Sequence, residues 1–349
     1  MKKDQFAARM LDMANEGFLT LMTSVGHQTG LFDAMAALEA AGSAEIAAAA
    51  KLNERYVREW LGAMVTGRMV EYDPEKRTYR LPAEHAASLT RAAGTGNMAT
   101  MMQFLSCMGN VEQEIVGCFR KGGGLPYSAY DRFHGIMAEL SGQIFAETLI
   151  QKTVPLVPGL PGKLQAGIDV LDVGCGSGQA INLMARAYPA SRFTGLDFSP
   201  EGIAAGEKQA RAWELANCTF QVADVADLDG WGPFDLITSF DTIHDQAQPA
   251  KVLQSIAGSL TAGGTYLMVD IAASSRLEEN MDLPLAPYFY AISTLHCLSV
   301  SLGLQGEGLG TVWGEQRARE MLAQAGFTQV DVKRVDGDII NYYYIAKKS

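Results

Sequence analysis

The chain has 349 residues, of which 48% are hydrophobic and 19% charged, and its formal net charge at pH 7 is −11. This is the composition of a globular protein long enough for two domains. The acidic balance disfavours a nucleic-acid partner, because phosphate backbones bind basic surfaces. No apolar run reaches the length that spans a bilayer, and the first residues lack the pattern of a signal peptide. We therefore expect a cytoplasmic protein with no membrane partner.

The first part of the chain, residues 1–90, has the rhythm of a winged helix. The stretch "AEIAAAAKLNERYVREWLGAMVTGRMV" places apolar residues at helical spacing on two successive helices. The stretch "VEYDPEKRTYRL" then predicts two short strands around a turn, which would form the wing. Residues 91–164 are predicted to be a helical connector.

A winged helix can bind DNA or can serve as a dimerisation and cap module. The predicted recognition helix carries few basic residues, and nearby glutamates offset them: Arg55, Arg58 and Arg68 against Glu54 and Glu59. We therefore favour the second role and expect a homodimer formed through this domain. A DNA-binding regulator that senses a cofactor is kept as the alternative from another functional class.

Residues 165–349 alternate strand-like and helix-like segments. Seven strands are predicted in the order "IDVLDVG", "RFTGLDF", "FQVAD", "FDLITSF", "TYLMVDI", "QVDVKRV" and "NYYYIAKK". Helical segments separate most of them, so a mainly parallel sheet covered by helices on both faces is expected. The predicted fold class is α/β, a Rossmann-like seven-stranded domain preceded by a mostly helical winged-helix domain.

The first of these strands runs into a glycine-rich loop, "VLDVGCGSG", and then into a helix. Glycines at this place let the backbone turn sharply and approach a ligand closely. The next two strands end in Asp197 and Asp224, where carboxylates can accept hydrogen bonds from a ribose and from an adenine. No Walker lysine is present, which disfavours a nucleoside triphosphate.

In their order, these features resemble the binding motifs of class I S-adenosylmethionine-dependent methyltransferases. The resemblance implies that Gly174 and Gly176 pass the methionine part of S-adenosyl-L-methionine, that Asp197 holds its ribose, and that Asp224 with Val225 faces its adenine. The full set of cofactor-binding residues expected from it is Asp172, Gly174, Gly176, Gly178, Asp197, Phe198, Asp224, Val225 and Phe240.

The fourth strand leads into "SFDTIHDQAQP", which places Asp241, His244 and Asp245 within five residues. In this fold the loop borders the methyl donor, so the acceptor should lie beside it. One interpretation makes His244 a general base, since imidazole titrates near neutral pH. Plant-type and hydroxyindole O-methyltransferases, which this sequence resembles in its winged-helix architecture, carry a similar His-Asp pair, so the resemblance implies His244 and Asp245 as catalytic residues.

The second interpretation is a metal site. Asp241 and His244 would share one face if the segment forms a helical turn. A long insertion, about 274–314, is predicted to cover the same edge of the sheet as a substrate lid, and it contains His296. Two histidines and a carboxylate with open positions suit iron(II) or a similar divalent ion. The predicted ligands are therefore Asp241, His244 and His296, with Asp245 as the other carboxylate that could serve.

This arrangement resembles the metal-dependent 2-oxo-acid C-methyltransferases of the phenylpyruvate type, whose histidines match His244 and His296. The chain also resembles mycobacterial-type winged-helix methyltransferases through "HQTGLFD", "IHDQAQP" and "GLGTVWGEQ". These resemblances imply a small chelating acceptor such as a 2-oxo acid. The alternative is a metal-free O- or N-methyltransferase. Tyr127 and His27 are the predicted substrate contacts.

Overall fold

The structure is a computed structural model that describes residues 1–348. The chain divides into two compact units. The first unit comprises residues 1–109 and 135–144, and the second comprises residues 110–134 and the chain from residue 145 onward. The connector predicted over residues 91–164 is thus shared between the two units.

The first unit is mostly helical. Its elements are α1 (Lys3–Thr29), α2 (Leu31–Ala36), α3 (Ser43–Ala50), α4 (Glu54–Thr66), β1 (Glu71–Asp73), β2 (Thr78–Arg80), α5 (Ala83–Leu89) and α6 (Gln103–Gly109). The α3–α4 pair forms the predicted helix–turn–helix. Strands β1 and β2 pair antiparallel as the predicted wing.

Local sequence explains how the helix–turn–helix is built. Asn53 caps α4, because its side-chain oxygen accepts the backbone N–H of Arg55 at 3.0 Å. The apolar face of α4 then packs into a core that contains Phe32, with the rings of Phe32 and Trp60 in an edge-to-face contact at 5.2 Å. The Trp60 indole N–H donates to the carbonyl of Met22 at 2.8 Å, which ties α4 to α1.

The helix Phe133–Thr148 is shared between the two units, because its middle residues, 135–144, belong to the first unit. The second unit contains the remaining elements. In chain order they are α7 (Glu112–Lys121), α8 (Phe133–Thr148), α9 (Leu160–Ala166), β3 (Asp169–Val173), α10 (Gln179–Ala187), β4 (Arg192–Asp197), α11 (Pro200–Ala212), β5 (Cys218–Val222), β6 (Phe234–Phe240), α12 (Pro249–Gly258), β7 (Leu260–Ile271), α13 (Ala286–Ile292), α14 (Leu298–Gly303), α15 (Gly314–Gln324), β8 (Phe327–Lys333) and β9 (Asn341–Lys348).

Seven strands form one sheet in the order β5-β4-β3-β6-β7-β9-β8. Strands β3 to β7 run parallel to one another, and β9 runs antiparallel to both of its neighbours, β7 and β8. The seven predicted strands and the mainly parallel sheet are confirmed. Because the order reverses beside β3, the carboxyl ends of β3, β4 and β6 meet at the crevice where such sheets bind ligands.

The sheet is buried on both faces, which explains why its central strands are continuous apolar runs. Successive residues point to opposite faces, so Val170 joins the core under one layer of helices and Leu171 joins the core under the other. In β7, Tyr266 packs in the same core as Leu171, and Leu267 packs in the same core as Val170. Two cores thus hold the strand ends at the crevice in fixed positions.

The predicted insertion contains α13, a π-helical turn at Ser293–Cys297 and α14, in one continuous helical segment. Single π-helical turns occur often at functional sites, because they rotate side chains out of the regular helical register. Across the described residues, no helix combines the length and apolar character needed to cross a membrane.

Candidate active site

The glycine loop after β3 is built around left-handed backbone. Gly174, Gly176 and Gly178 have φ values of 69°, 52° and 70°, which glycine adopts without steric cost. A Cβ on Gly174 would stand 2.2 Å from Cγ2 of Thr242. The loop therefore packs directly on the segment that follows β6, and a side chain at this position would separate them.

Asp197, at the end of β4, is held by backbone groups of this loop. Its two carboxylate oxygens accept the N–H groups of Gly176 and Ser199, each at 2.8 Å. Burial raises its pKa, and these hydrogen bonds oppose that rise. Asp224 accepts the N–H of Ala226 at 2.9 Å in the same manner. Asp197 ends β4 as predicted, whereas Asp224 lies two residues beyond the end of β5; the main chain anchors both carboxylates.

Asp172 lies deeper, inside β3. It is 2% exposed, and the hydroxyl of Thr238 donates to it at 2.7 Å. Burial raises its pKa to about 7. Its position behind the loop suits support of the loop better than contact with a ligand.

The other predicted cofactor residues differ in exposure. Phe198 is 49% exposed and faces the ring of Tyr127 in an edge contact at 5.3 Å. The side chain of Val225 is buried in the core, so it leaves only its backbone for a ligand. Phe240, at the end of β6, packs on Phe145 at 4.9 Å.

His244 lies in a short turn, Ile243–Asp245, at the carboxyl end of β6. Its Nδ1 lies 2.7 Å from Oδ1 of Asp270, the last residue but one of the neighbouring strand β7. The Trp313 indole N–H donates to the same oxygen at 3.1 Å. The carboxylate therefore fixes the ring and its tautomer, with the proton on Nδ1 and Nε2 turned the other way.

Burial lowers the pKa of His244, but the charges of Asp270 and Asp245 outweigh burial and raise that pKa well above its ordinary value. Nε2 lies 3.3 Å from Oδ1 of Asp245, yet that oxygen has no hydrogen-bond partner. The lone pairs of an imidazole nitrogen and a carboxylate oxygen repel each other unless a proton or a metal cation lies between them. With its raised pKa, the protonated His244 ring can supply that proton, and a metal cation could take the same place.

Cys297 completes a group around this pair. One ligand atom each from His244, Asp245 and Cys297 lie within 4.8 Å of one another, which is close enough to hold a metal ion after small adjustments. The hydroxyl of Thr311 donates to the Cys297 sulfur at 2.9 Å. Burial raises the pKa of Cys297 to about 12.

His296, which precedes Cys297 in the chain, lies beside the other carboxylate oxygen of Asp245. Its Nδ1 is 3.8 Å from Oδ2 of Asp245, and its ring stacks on Phe133 at 3.7 Å. The rings of Tyr127 and Tyr130 enclose it further, at 5.3 and 4.6 Å. Neither ring nitrogen has a hydrogen-bond partner, and burial lowers the pKa of His296 to about 4. A neutral, buried and unpartnered imidazole normally carries a free-energy cost.

Asp241 departs from its prediction. Its backbone is left-handed, with φ 51°, and the helical turn begins only at Ile243. Asp241 and His244 therefore do not share a helical face, and the described residues yield a metal-binding group that contains Asp245 instead. Burial raises the pKa of Asp241 to about 7, and the charge of Asp270 acts in the same direction.

The predicted substrate residues lie in different units. Tyr127 belongs to the second unit and bridges the rings of Phe198 and His296, so it connects the predicted cofactor site to the His-Asp cluster. His27 belongs to the first unit, where it is 1% exposed and bonded through Nε2 to Glu139 at 2.8 Å.

Sequence reasoning missed Asp270 and Cys297. The signal for Asp270 was present, because "TYLMVD" ends a strand that neighbours β6 at the same edge of the sheet. The position of Cys297 depends on the π-helical turn, which has no clear sequence signature. In the winged helix, Arg55 pairs with Glu59 and Arg58 with Glu54, as the offsetting charges suggested.

Two protein-family models match parts of the chain. Residues 17–91 match the Rv2258c-like winged HTH domain, and residues 164–326 match a methyltransferase domain. The malonyl-[acyl-carrier protein] O-methyltransferase of Paenibacillus sp. (strain JDR-2) is 26% identical over 164 residues, which cover 46% of this chain and 55% of that protein. The trans-aconitate 2-methyltransferase of Methylobacterium nodulans is 32% identical over 120 residues, which cover 34% and 44%. The chain thus spans about half the length of these curated relatives.

Among solved structures, human N-acetylserotonin methyltransferase in complex with S-adenosylmethionine superposes with a TM-score of 0.71 over 100% of both chains, at 17% identity. This likeness shows a shared fold across both units. The chain therefore joins a segment that matches the Rv2258c-like winged HTH domain to a segment that matches a methyltransferase domain, and it shares the fold of human N-acetylserotonin methyltransferase.

Proposed function

We propose that this protein is an S-adenosylmethionine-dependent methyltransferase that acts on a small molecule. The observation that carries this proposal is the glycine loop bonded to the β4 carboxylate, Gly176 N–H to Asp197, within the matched methyltransferase domain. Glycine loops of this kind let a ligand approach the backbone, and a carboxylate at the next strand end accepts ribose hydroxyls. The cofactor, when bound, supplies an electrophilic methyl group on its sulfonium.

The acceptor is proposed to bind beside His244. The loop that carries His244 packs on Gly174, so the acceptor side chains and the glycine loop share one edge of the sheet. Positioning two reactants at such an edge can contribute roughly 7–11 kcal/mol to lowering the barrier. Tyr127 bridges the two regions and is proposed as a wall of the acceptor site.

We propose further that a divalent metal ion assists the reaction. The chemistry of the donors fits a metal: His244 Nε2 and Asp245 Oδ1 face each other without a hydrogen bond, and Asp270 holds the opposite ring nitrogen as outer carboxylates do in metal sites. The remaining protein donor would come from the π-helical turn, which carries both His296 and Cys297. The metal would supply Lewis acidity toward a chelating acceptor such as a 2-oxo acid.

The acidic surroundings support this view. Asp241, Asp245 and Asp270 all lie around His244, so an anionic acceptor without a cation would meet repulsion. A bound divalent ion would offset these negative charges and attract an anionic acceptor. The chain's own groups then orient the acceptor, while the aromatic rings around His296 exclude water.

The alternative is a metal-free O- or N-methyltransferase in which His244 removes the proton of the acceptor. The Asp270–His244 bond also suits that role, since it fixes the tautomer of a general base.

Elemental analysis of protein purified without chelator tests the metal, with methyl transfer to phenylpyruvate as the probe reaction before and after chelator treatment. We expect bound divalent metal and loss of transfer on its removal. Full transfer by metal-free protein would contradict metal assistance and favour the general base. In that experiment His244→Ala should abolish transfer, whereas His85→Ala, an exposed histidine of the first unit, should not.

We also propose a homodimer formed through the first unit. Helix α1 exposes Phe6, Met10 and Met13 along one face, with Leu11 and Phe18 beside them, each about half exposed or more. Large apolar side chains in such a row are typical of a covered surface. Light scattering should give a dimer mass for the full chain and a monomer mass for the Phe6→Glu, Met10→Glu variant; a wild-type monomer would contradict the proposal.

A further inference from the structure

We propose that Cys297 is a ligand of the metal ion, so that the protein donors are His244 Nε2, an Asp245 carboxylate oxygen and the Cys297 thiolate. The inference rests on the metal site of the proposed function and departs from the two-histidine set expected from the sequence. The geometry points to it: these three residues place one donor atom each within 4.8 Å of one another, a grouping that the described residues do not repeat with His296.

The sulfur is prepared for this role by its neighbours. Thr311 is fixed by two contacts on the π-helical turn, since its N–H donates to Ser293 Oγ at 3.1 Å and its hydroxyl donates to Cys297 Sγ at 2.9 Å. A donor that points at a ligand atom is the usual outer partner in metal sites. Cys297 forms no disulfide and is 4% exposed, so its thiol faces the interior of the site.

His296 has a different position. Its ring is held by stacking on Phe133 and by the edge of Tyr130. From there Nδ1 faces Asp245 Oδ2 at 3.8 Å, on the opposite oxygen from the one that faces His244. His296 thus lies beside the Asp245 carboxylate without a hydrogen bond to it, and it does not belong to the three grouped donors.

The donor set decides the class of ion. Imidazole, carboxylate and thiolate with an open position are the ligands of catalytic zinc sites, and a thiolate selects zinc-like ions over magnesium or calcium. Ion binding transfers the thiol proton to solvent, since only the thiolate coordinates. The fourth position is left for the acceptor.

The test is a titration of chelator-treated full-length protein with Co²⁺ alone, followed by absorption spectroscopy. We expect one equivalent to bind with an intense near-ultraviolet thiolate-to-cobalt band. Cys297→Ser should lose the band, and its Co²⁺ affinity should fall by at least roughly the 10–100-fold that even the loss of an outer partner causes. His296→Gln should keep the band, as should Cys118→Ser, a half-buried cysteine of α7 that serves as the matched control.

The outcomes are distinct. Binding of one equivalent without the band, persistence of the band in Cys297→Ser, or loss of Co²⁺ only in His296→Gln would each overturn the assignment of Cys297. Absence of any Co²⁺ binding would overturn both this inference and metal assistance. Calorimetry of S-adenosylhomocysteine on the same samples reports separately on the cofactor site, so failure of the methyltransferase proposal would be recognised independently.

Discussion

The two halves of the crevice are built in different ways. At the ends of β3 and β4, the Asp197 carboxylate is satisfied by the backbone N–H groups of Gly176 and Ser199. At the ends of β6 and β7, side chains face side chains, and Asp245 Oδ1 and both nitrogens of His296 lack hydrogen-bond partners among the described residues. Buried polar groups without partners cost free energy. The carboxylate of the first half therefore has its hydrogen bonds within the chain, whereas the second half contains buried polar atoms that a bound ligand could satisfy.

The largest expected effect concerns the backbone-built half. Asp197→Asn should weaken S-adenosylhomocysteine binding by roughly 10–100-fold, because hydrogen bonds to a charged group contribute about 1.5–3 kcal/mol. Isothermal titration calorimetry measures it. Asp169→Asn is the matched control, since Asp169 begins β3 at the opposite edge of the same sheet and pairs with Arg192. Equal affinities in both variants would contradict the proposed ribose contact.

The side-chain-built half is tested through its outer partner. Asp270→Asn removes the charge that fixes the His244 ring and should lower divalent-metal affinity by roughly 10–100-fold, without changing S-adenosylhomocysteine affinity. Competition with a metal chelator gives the dissociation constant of the metal, and calorimetry gives that of S-adenosylhomocysteine. A change in the cofactor constant alone would mean that Asp270 acts on the first half of the crevice.

Gly174→Ala tests the contact between the glycine loop and Thr242, which follows β6. A Cβ there meets left-handed strain and the Thr242 side chain, so the free energy of unfolding should fall by about 1–3 kcal/mol more than for a glycine that meets strain alone. Gly122→Ala is that comparison, since its φ is 74° and open space surrounds it. Urea unfolding measures both, and equal losses would show that the loop does not press on Thr242.

The buried carboxylate behind the glycine loop predicts a pH dependence of stability. Because burial raises the folded-state pKa of Asp172 to about 7, the folded chain holds its proton more tightly than the unfolded chain does. Stability should therefore fall as pH rises from about 4 to about 7, and Asp172→Asn should reduce that fall. Unfolding midpoints at pH 5 and pH 8 measure it; an unchanged difference between the two pH values would contradict the raised pKa.

The contrast between the halves also explains how far sequence reasoning reaches. The strands, the glycine loop and the position of Asp197 follow from local patterns, because a parallel topology brings strand ends to one edge. The helical spacing assumed for Asp241 and His244 does not form, because Asp241 is left-handed and the turn begins only at Ile243; the ligand role of Asp241 stays a prediction. The neighbourhood of Asp270 and Cys297 depends on contacts between residues 26 or more positions apart in the chain, and local spacing does not encode these.

Calorimetric titration of the wild-type chain with S-adenosylmethionine and S-adenosylhomocysteine shows whether the crevice binds the methyl donor, as proposed. We expect one site per chain for each compound, with heat that disappears or weakens strongly in Asp197→Asn. Absence of binding for both compounds to folded wild-type protein would contradict the proposal.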